Sequence, residues 1–378
     1  SFQGNPEIAN LGDFTLNFPK NGVPAYTVRN VIGNPNLKPE ITTTYEVGTD
    51  LGFFNNKAIV SYTYYQSIHD EQLVRIQLPR STGYTVTTTN IGRMENKGHE
   101  LSLTLKPLKG VIEGLDFELF GTYSQNKNEV IKISDDIDEL AIGIFGFAEG
   151  TTVNLVAKEG LPYGTFKGNN FKYNNQGQVI VGTDGYPVYS DDDEFLGNNQ
   201  ADYLVNFGTN INYKGFGLRV LFDMKKGGLF ASQTKYNTGF NGTNVNTTIY
   251  NRESFICPNS ILENEDGSFS ENTVSITEQG YYTDYDAPVS THLIDASYLK
   301  LREVELSYTF PTTLIKNTFF TNIRLSLYGK NLKFWLPGEN KYADPEVNGP
   351  GLTSNAQGIE TSQTPSSRSL GINLQLSF

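Results

Sequence analysis

The sequence contains few of the residues from which disulfides, metal sites and helical membrane anchors are built. Its 378 residues include one cysteine, three histidines, two methionines and one tryptophan. The single cysteine, Cys257, excludes an intrachain disulfide and argues against a cysteine-based metal site. No apolar run reaches the roughly eighteen residues that a transmembrane helix requires, so we expect no such helix.

Positive charge is also scarce. The chain has 29 lysines and arginines against 41 aspartates and glutamates, which gives a net charge of −12. With an isoelectric point near 4.8, this balance argues against nucleic acid as a partner.

Glycine, phenylalanine and tyrosine are abundant by contrast, with 37, 24 and 22 copies, while apolar residues make up only 37% of the chain. This mixture fits a membrane β-barrel, whose strands each carry a weak hydrophobic signal and whose aromatic residues form girdles at the two membrane interfaces. The length allows one large barrel or two ordinary domains.

The C-terminal segment 368–378 alternates strictly between apolar and polar residues. One face of this strand carries Leu370, Ile372, Leu374, Leu376 and Phe378. In a soluble sandwich, so apolar an edge strand would invite aggregation. A barrel has no edge, and lipid covers its apolar face. A last strand that ends in phenylalanine also resembles the signal by which bacterial outer-membrane proteins are recognised for insertion.

The same alternation recurs along the chain and predicts an all-β, antiparallel transmembrane barrel. Residues 1–40 are rich in glycine, asparagine and proline and are predicted to be loop. Eight earlier strands are predicted at residues 41–53, 58–64, 96–107, 115–123, 203–213, 216–224, 297–310 and 322–332. In the seventh, Lys300 and Arg302 share the parity of the apolar residues, which predicts either a β-bulge or an interface with another protein.

The predicted connections alternate in length, so every long one falls on the same side of the sheet. The short ones lie at 54–57, 106–114, 214–216 and 311–320, and the long ones at about 66–95, 128–200, 228–296 and 333–367. Outer-membrane barrels have short periplasmic turns and long extracellular loops. Aromatic residues cluster at the short-turn ends, as a girdle requires: Phe53, Phe54, Tyr213, Phe216, Phe310, Phe319, Phe320 and Phe378.

Several stretches in this order resemble the SusC/RagA-type TonB-dependent transporters of Bacteroidetes outer membranes. They include NPNLKPE from Asn34, NKGHELSL from Asn96, SYLKLREVELSYTFP from Ser297, and ADPEV from Ala343. The resemblance implies a plugged barrel of about 22 strands, a lipoprotein lid of the SusD type, and a dimer of transporter–lipoprotein pairs. It also implies that an inner-membrane TonB complex drives transport through the plug.

Residues 1–378 are then the C-terminal portion of such a barrel, with the N-terminal plug outside this chain. Nine strands is an odd number, whereas bacterial single-chain barrels have an even one, so we expect at least one earlier strand. The predicted function is energy-coupled import of oligosaccharides or peptides across the outer membrane. The alternatives are a passive porin, a surface glycan-binding β protein that does not transport, and a soluble glycan-binding sandwich.

Candidate binding residues lie in the second and third long connections, where aromatic rings stand beside carboxylates. Such groups could stack on sugars or grip a peptide, although loop packing or contact with a lid protein would use them equally well. These residues are Tyr281, Tyr282, Asp284, Tyr285, Phe334, Trp335, Tyr342 and Asp344.

Catalytic and metal motifs are not found. The histidines, His69, His99 and His292, lie far apart, so we predict no transition-metal site and no cofactor. The acidic run 191–194 could bind calcium in a long loop, but it lacks the spacing of a calcium loop, which favours a solvated run of charges. No nucleophile elbow and no paired carboxylates at hydrolytic separation can be identified, so we predict no enzyme.

Overall fold

The computed structural model describes residues 14–20, 23–28, 30–78, 80–135, 137–148, 151–283, 288–351 and 356–378. Within those ranges no helix is long and apolar enough to cross a membrane. Strands dominate the chain, and its few helices are short.

The strands in chain order are β1 Phe14–Lys20, β2 Val23–Val28, β3 Val31–Ile32, β4 Ile41–Phe53, β5 Ala58–Gln77, β6 Val86–Leu105, β7 Leu115–Lys132, β8 Glu139–Ala148, β9 Thr151–Lys158, β10 Thr165–Gly168, β11 Val179–Val181, β12 Glu194–Asn198, β13 Tyr203–Tyr213, β14 Phe216–Lys226, β15 Leu229–Ser232, β16 Ser254–Ile256, β17 Ser260–Glu263, β18 Phe269–Glu271, β19 Ser275–Thr277, β20 Leu293–Asp295, β21 Tyr298–Thr309, β22 Asn322–Trp335, β23 Ile359–Glu360 and β24 Ser369–Ser377. The α-helices are α1 Gln233–Phe240, α2 Glu278–Thr283, α3 Val289–His292 and α4 Thr312–Ile315, and 3₁₀ turns span Arg80–Thr82 and Val245–Thr248.

One antiparallel sheet contains all nine predicted strands. Its order is β24-β22-β21-β14-β13-β7-β6-β5-β4, and β3 adds a short parallel pairing to β6. Each of the nine strands pairs with its neighbour among them along the chain, as in an up-and-down barrel wall. The predicted antiparallel barrel fold is therefore confirmed, and the described strands form an arc of the wall with β4 and β24 at its two edges.

The register places apolar residues side by side across the whole arc. One continuous row of paired positions runs through Leu370, Gly329, Val304, Val220, Thr209, Leu119, Leu105, Ala58 and Phe53. Ile372, Leu327 and Leu306 lie in a neighbouring row and are each at least half exposed. A shared apolar face this exposed fits lipid rather than water.

The turns at the short side of the sheet contain residues that tolerate positive φ. Lys214 and Gly215 connect β13 to β14 with φ of 48° and 89°, and Asn55 and Asn56 have φ of 56° and 61°. Such values suit tight hairpins. The predicted aromatic cluster lies at this side, and Phe54, Phe319 and Phe378 are at least three-quarters exposed.

A β-bulge in β21 resolves the mismatch at Lys300 and Arg302. Glu303 pairs with Leu221, but Leu301 pairs with Phe222, so Arg302 is the extra residue. Beyond the bulge the faces reverse, which returns the leucines to the apolar side and places Lys300 opposite Asp223. The predicted bulge is confirmed.

Three predicted boundaries are wrong. The predicted loop 66–95 is mostly strand, because β5 and β6 continue to a connection at 78–85. The paired strands β1 and β2 lie within the predicted N-terminal loop, and β7 extends to Lys132. Alternation marks only the part of a strand that has an apolar environment on one side. Beyond that part, the strands are held by hydrogen bonds and by packing against the long connections. Val74 of β5 and Val130 of β7, for example, pack in one buried cluster with Leu140.

The three longest connections share one hydrophobic core on the long side of the sheet. Its buried residues are Phe147, Val153, Leu155 and Phe166 of the first connection, Ala231 and Val289 of the second, and Ala356 and Ile359 of the third. Strands also pair between connections: β15 of the second pairs with β23 of the third, and β11 of the first pairs with β17 of the second. The long connections are therefore one folded layer rather than separate loops.

The two faces of β24 allow a matched test of lipid exposure. We expect Ile372→Lys to destabilise the membrane-inserted protein by about 2–4 kcal/mol, because lysine is costly against hydrocarbon near the bilayer midplane. The neighbouring change Asn373→Lys places the same charge on the polar face. Urea unfolding of the full-length protein in lipid vesicles would measure both, and equal losses would contradict the assignment of the faces.

Candidate functional site

The inner face of the sheet, opposite the apolar face, is polar and charged. A cavity of about 590 Å³ lies against it, and its lining includes Asp116, Glu118, Asn210, Arg219, Glu303, Glu305 and Arg324. Because side chains alternate along each strand, the same register that aligns the leucines also aligns these groups.

Opposite charges alternate across the strands of this face. Glu118 contacts Lys106 at 3.0 Å and accepts a 2.8 Å hydrogen bond from Asn210. Arg219 donates to Asn210 at 3.2 Å and lies 3.3 Å from Glu303. Paired charges beside open space are typical of a water-filled interior, where polar solutes or a polar domain can be accommodated.

A cluster of charges attaches the third long connection to the sheet. Lys300 is 1% exposed, and its Nζ lies 2.5 Å from both Asp344 and Glu346. Arg302 bonds to Asp223 at 2.5 Å and also to Glu346. The carboxylates of ADPEV thus meet the two cations that the bulge places on the inner face, and we call these five residues the charge clamp.

The electrostatics of the clamp favour the ionised form of Glu346. Burial alone would raise the pKa of Glu346, but hydrogen bonds from Arg302 and Lys300 and their charges outweigh burial and lower that pKa to about 2. The carboxylate therefore stays charged at neutral pH. Since a buried charge without a partner is costly, the clamp holds the connection in one position.

Three of the predicted binding residues surround one cavity above the clamp. Phe334, Tyr342 and Asp344 line a space of about 260 Å³, together with Asn340 and Glu360. The hydroxyl of Tyr342 accepts hydrogen bonds from Asn244 at 3.0 Å and Asn246 at 2.9 Å, which tie it to the second connection. We call this space the connection cavity.

Trp335 lies on the other face of β22 from Phe334. It pairs with Leu299, and its ring centroid is 6.5 Å from that of Phe222, so it belongs to the apolar face. Tryptophan at the end of a membrane strand is typical of an interfacial anchor. Its proximity to Phe334 in sequence therefore does not bring it to the connection cavity.

The second predicted group is placed apart from the first. Tyr281 packs against Phe255 with ring centroids 5.8 Å apart, in a cluster that contains Cys257. Tyr282 lines a different cavity of about 300 Å³, which also contains Glu278. Asp284 and Tyr285 lie outside the described residues.

Sequence reasoning missed the buried acids of the second and third connections. Glu360 is 2% exposed and accepts hydrogen bonds from Ser232 at 2.8 Å and from the amide of Thr234 at 3.0 Å, which joins β23 to the start of α1. Its strand has two residues, too few for a pattern. The charge clamp, by contrast, could be detected in the sequence, because Lys300 breaks the alternation of apolar and polar residues in its strand.

The histidines do not converge. His69 lies 3.1 Å from the hydroxyl of Thr42, His99 lies 2.9 Å from that of Tyr62, and His292 is buried against Tyr236. Among the described residues, no group of three or more histidine, cysteine, aspartate or glutamate side chains is arranged to hold a metal ion. In the acidic run, Glu194 accepts a 3.0 Å hydrogen bond from Asn170.

Known proteins share this architecture. Residues 5–158 match the family model described as TonB dependent receptor-like, beta-barrel. TonB-dependent receptor P3 of Formosa agariphila is 24% identical over 83% of this chain and 31% of its own length. TonB-dependent receptor SusC of Bacteroides thetaiotaomicron is 25% identical over 91% of this chain and 32% of its own.

The fold agrees with a solved structure of the RagAB peptide transporter. The TM-score is 0.68 at 20% identity, over 98% of this chain and 39% of the solved chain. The chain spans about a third of the length of the curated relatives it matches.

Removing the central cation should release the third connection. We expect Lys300→Met to destabilise its docked state by about 3–5 kcal/mol, because two carboxylates lose their buried partner. Cleavage in 336–368 by added protease should then accelerate about a hundredfold or more, since cleavage follows the open population. Lys330→Met removes a largely exposed lysine of β22 and is the matched control. Equal cleavage of both variants would refute the clamp.

Proposed function

We propose that this chain is a TonB-dependent receptor of the SusC and RagA type and that it forms the C-terminal barrel wall of a nutrient importer in the outer membrane. It contributes nine strands and the long connections on one side of them. The transported class is oligosaccharides or peptides, solutes too large for simple diffusion pores. We propose no catalytic step for it.

The observation that carries this proposal is the division of the sheet into an apolar and a polar face, with a folded layer at one side. The apolar row crosses all nine strands, and the charged inner face lines a cavity. Lipid on one side and water on the other require such a division. A folded layer at the mouth can hold a solute between the long connections.

We propose that the long side faces outward, because outer-membrane barrels carry their long loops on the extracellular side. The layer then receives substrate and a surface lipoprotein of the SusD type, and the assembly is a dimer of such pairs. The solved relative named RagAB supports a peptide as the cargo, and the relative named SusC belongs to the same class of receptor. Energy would come from a TonB complex acting on a plug domain.

The alternating charges of the inner face suit a polar plug better than free diffusion. Arg324 bonds Glu305 at 2.8 Å, and Arg219 contacts Glu303, so the cations of this face are already paired. A passive porin, the second candidate, usually selects ions with rings of charge of one sign. The mixed signs here favour the importer.

Uptake in cells separates the importer from the porin. We expect cells that carry the full-length protein to accumulate fluorescently labelled oligopeptides or maltooligosaccharides. This uptake should stop when a protonophore collapses the proton gradient. Cells from which the gene is deleted are the control. Uptake that continues without the gradient would indicate a porin, and no uptake of either class would refute the proposed function.

The two faces of β22 give a sharper test of the connection cavity. We expect Phe334→Ala to raise the apparent KM for uptake by roughly fivefold to thirtyfold, because a lost aromatic contact costs about 1–2 kcal/mol. Trp335→Ala removes a larger ring from the apolar face and should leave the KM unchanged. Protease resistance of residues 336–368 checks that the charge clamp survives. Equal KM values for both variants would remove Phe334 from the site.

A further inference from the structure

Glu278 is a buried acid of the second long connection. It begins α2 and is 3% exposed, and its two carboxylate oxygens have no hydrogen-bond partner among the residues that the structure describes. Most buried acids are paired, because burying an uncompensated charge is costly. Glu360 shows the usual solution in the same layer, since a serine and a threonine donate to it. Glu278 therefore requires a different explanation.

The cavity beside Glu278 supplies one. Its volume is about 300 Å³, and besides Glu278 its lining includes Phe240, Tyr282, Thr247 and Arg252. Arg252 is exposed and donates a 2.9 Å hydrogen bond to the carbonyl of Gly242. The cavity thus lies beside one buried acid and is lined by two aromatic residues and by one arginine near solvent. We call it the Glu278 cavity.

A primary ammonium group complements this arrangement. A buried carboxylate is best compensated by a positive charge that also donates hydrogen bonds, and an ammonium has three donors. Aromatic faces attract the same cation through their quadrupoles. A metal ion fits less well, because the described residues form no cluster of ligands. Sugar hydroxyls can donate to a carboxylate but bring no charge.

We propose that the Glu278 cavity binds the free amino group of a peptide, with Arg252 placed to meet a carboxylate of the same ligand. This rests on the proposed function, because it makes peptides the substrate class of the importer. The cavity is also next to the connection cavity in the fold. Thr247 lines the first, while Asn246, its neighbour in the same 3₁₀ turn, donates to Tyr342 of the second.

Calorimetric titration of the detergent-solubilised full-length receptor would test the proposal. The probes are tri-alanine with a free amino terminus, its N-acetylated form, and maltotriose as an uncharged solute. We expect tri-alanine to bind, and both N-acetylation and Glu278→Gln to weaken it roughly tenfold to a hundredfold, since a charge-assisted hydrogen bond is lost. Glu271→Gln, which changes an exposed acid of β18, should leave binding unchanged.

The outcomes distinguish this site from the proposed function. If N-acetylated and free tri-alanine bind equally tightly, or if Glu278→Gln leaves the affinity unchanged, the ammonium site is refuted whether or not uptake occurs. If neither form of tri-alanine binds, the site is also refuted. If tri-alanine binds as expected but cells import neither peptides nor oligosaccharides, the site stands and the importer fails. A melting temperature of the Glu278→Gln protein at or above that of the unaltered protein confirms that lost binding is not lost folding.

Discussion

The parity of the nine-stranded sheet is the constraint on which the rest of the structure depends. In hydrocarbon, every backbone amide and carbonyl must be paired within the protein, so each strand must match its neighbours along its length. A slip of one residue would turn every apolar side chain inward and every charge toward lipid. The row from Leu370 to Phe53 shows that all nine strands obey one register. The polar inner face follows from the same register, because it consists of the alternate residues.

The layer of long connections depends on this wall but is held together by a different kind of interaction. Phe166, Ala231 and Ile359 come from three separate connections and share one core, and short strands pair across them. The charge clamp then fixes the layer to β21. Hydrophobic burial makes the layer compact without specifying direction, whereas the buried pairs of Lys300 restrict its position, because any displacement would leave charges unpaired.

The wall could be predicted from the sequence, and the layer could not. Alternation identifies strands such as β13 and β24, since one of their faces is apolar along the whole length. It ends where β5 and β6 leave the apolar environment, and so the loop predicted at 66–95 was too long. β15 and β23 have four and two residues, and only their pairing with distant segments reveals them. Likewise, nothing in the chain order indicates that Phe334 and Trp335 serve opposite faces of one strand.

The most informative departure from the alternating pattern is at Lys300 and Arg302, which would lie on the apolar face if β21 were a regular strand. A single extra residue in β21 keeps Leu299 and Leu301 on the apolar face and places both cations where ADPEV can reach them. Because of the bulge, one strand can present its leucines to lipid and its two cations to the layer of long connections. A regular strand with Val304 facing lipid would place the cations in lipid and the two leucines in the interior. The position at which alternation fails is thus where β21 leaves the regular wall and begins to contact the layer of long connections.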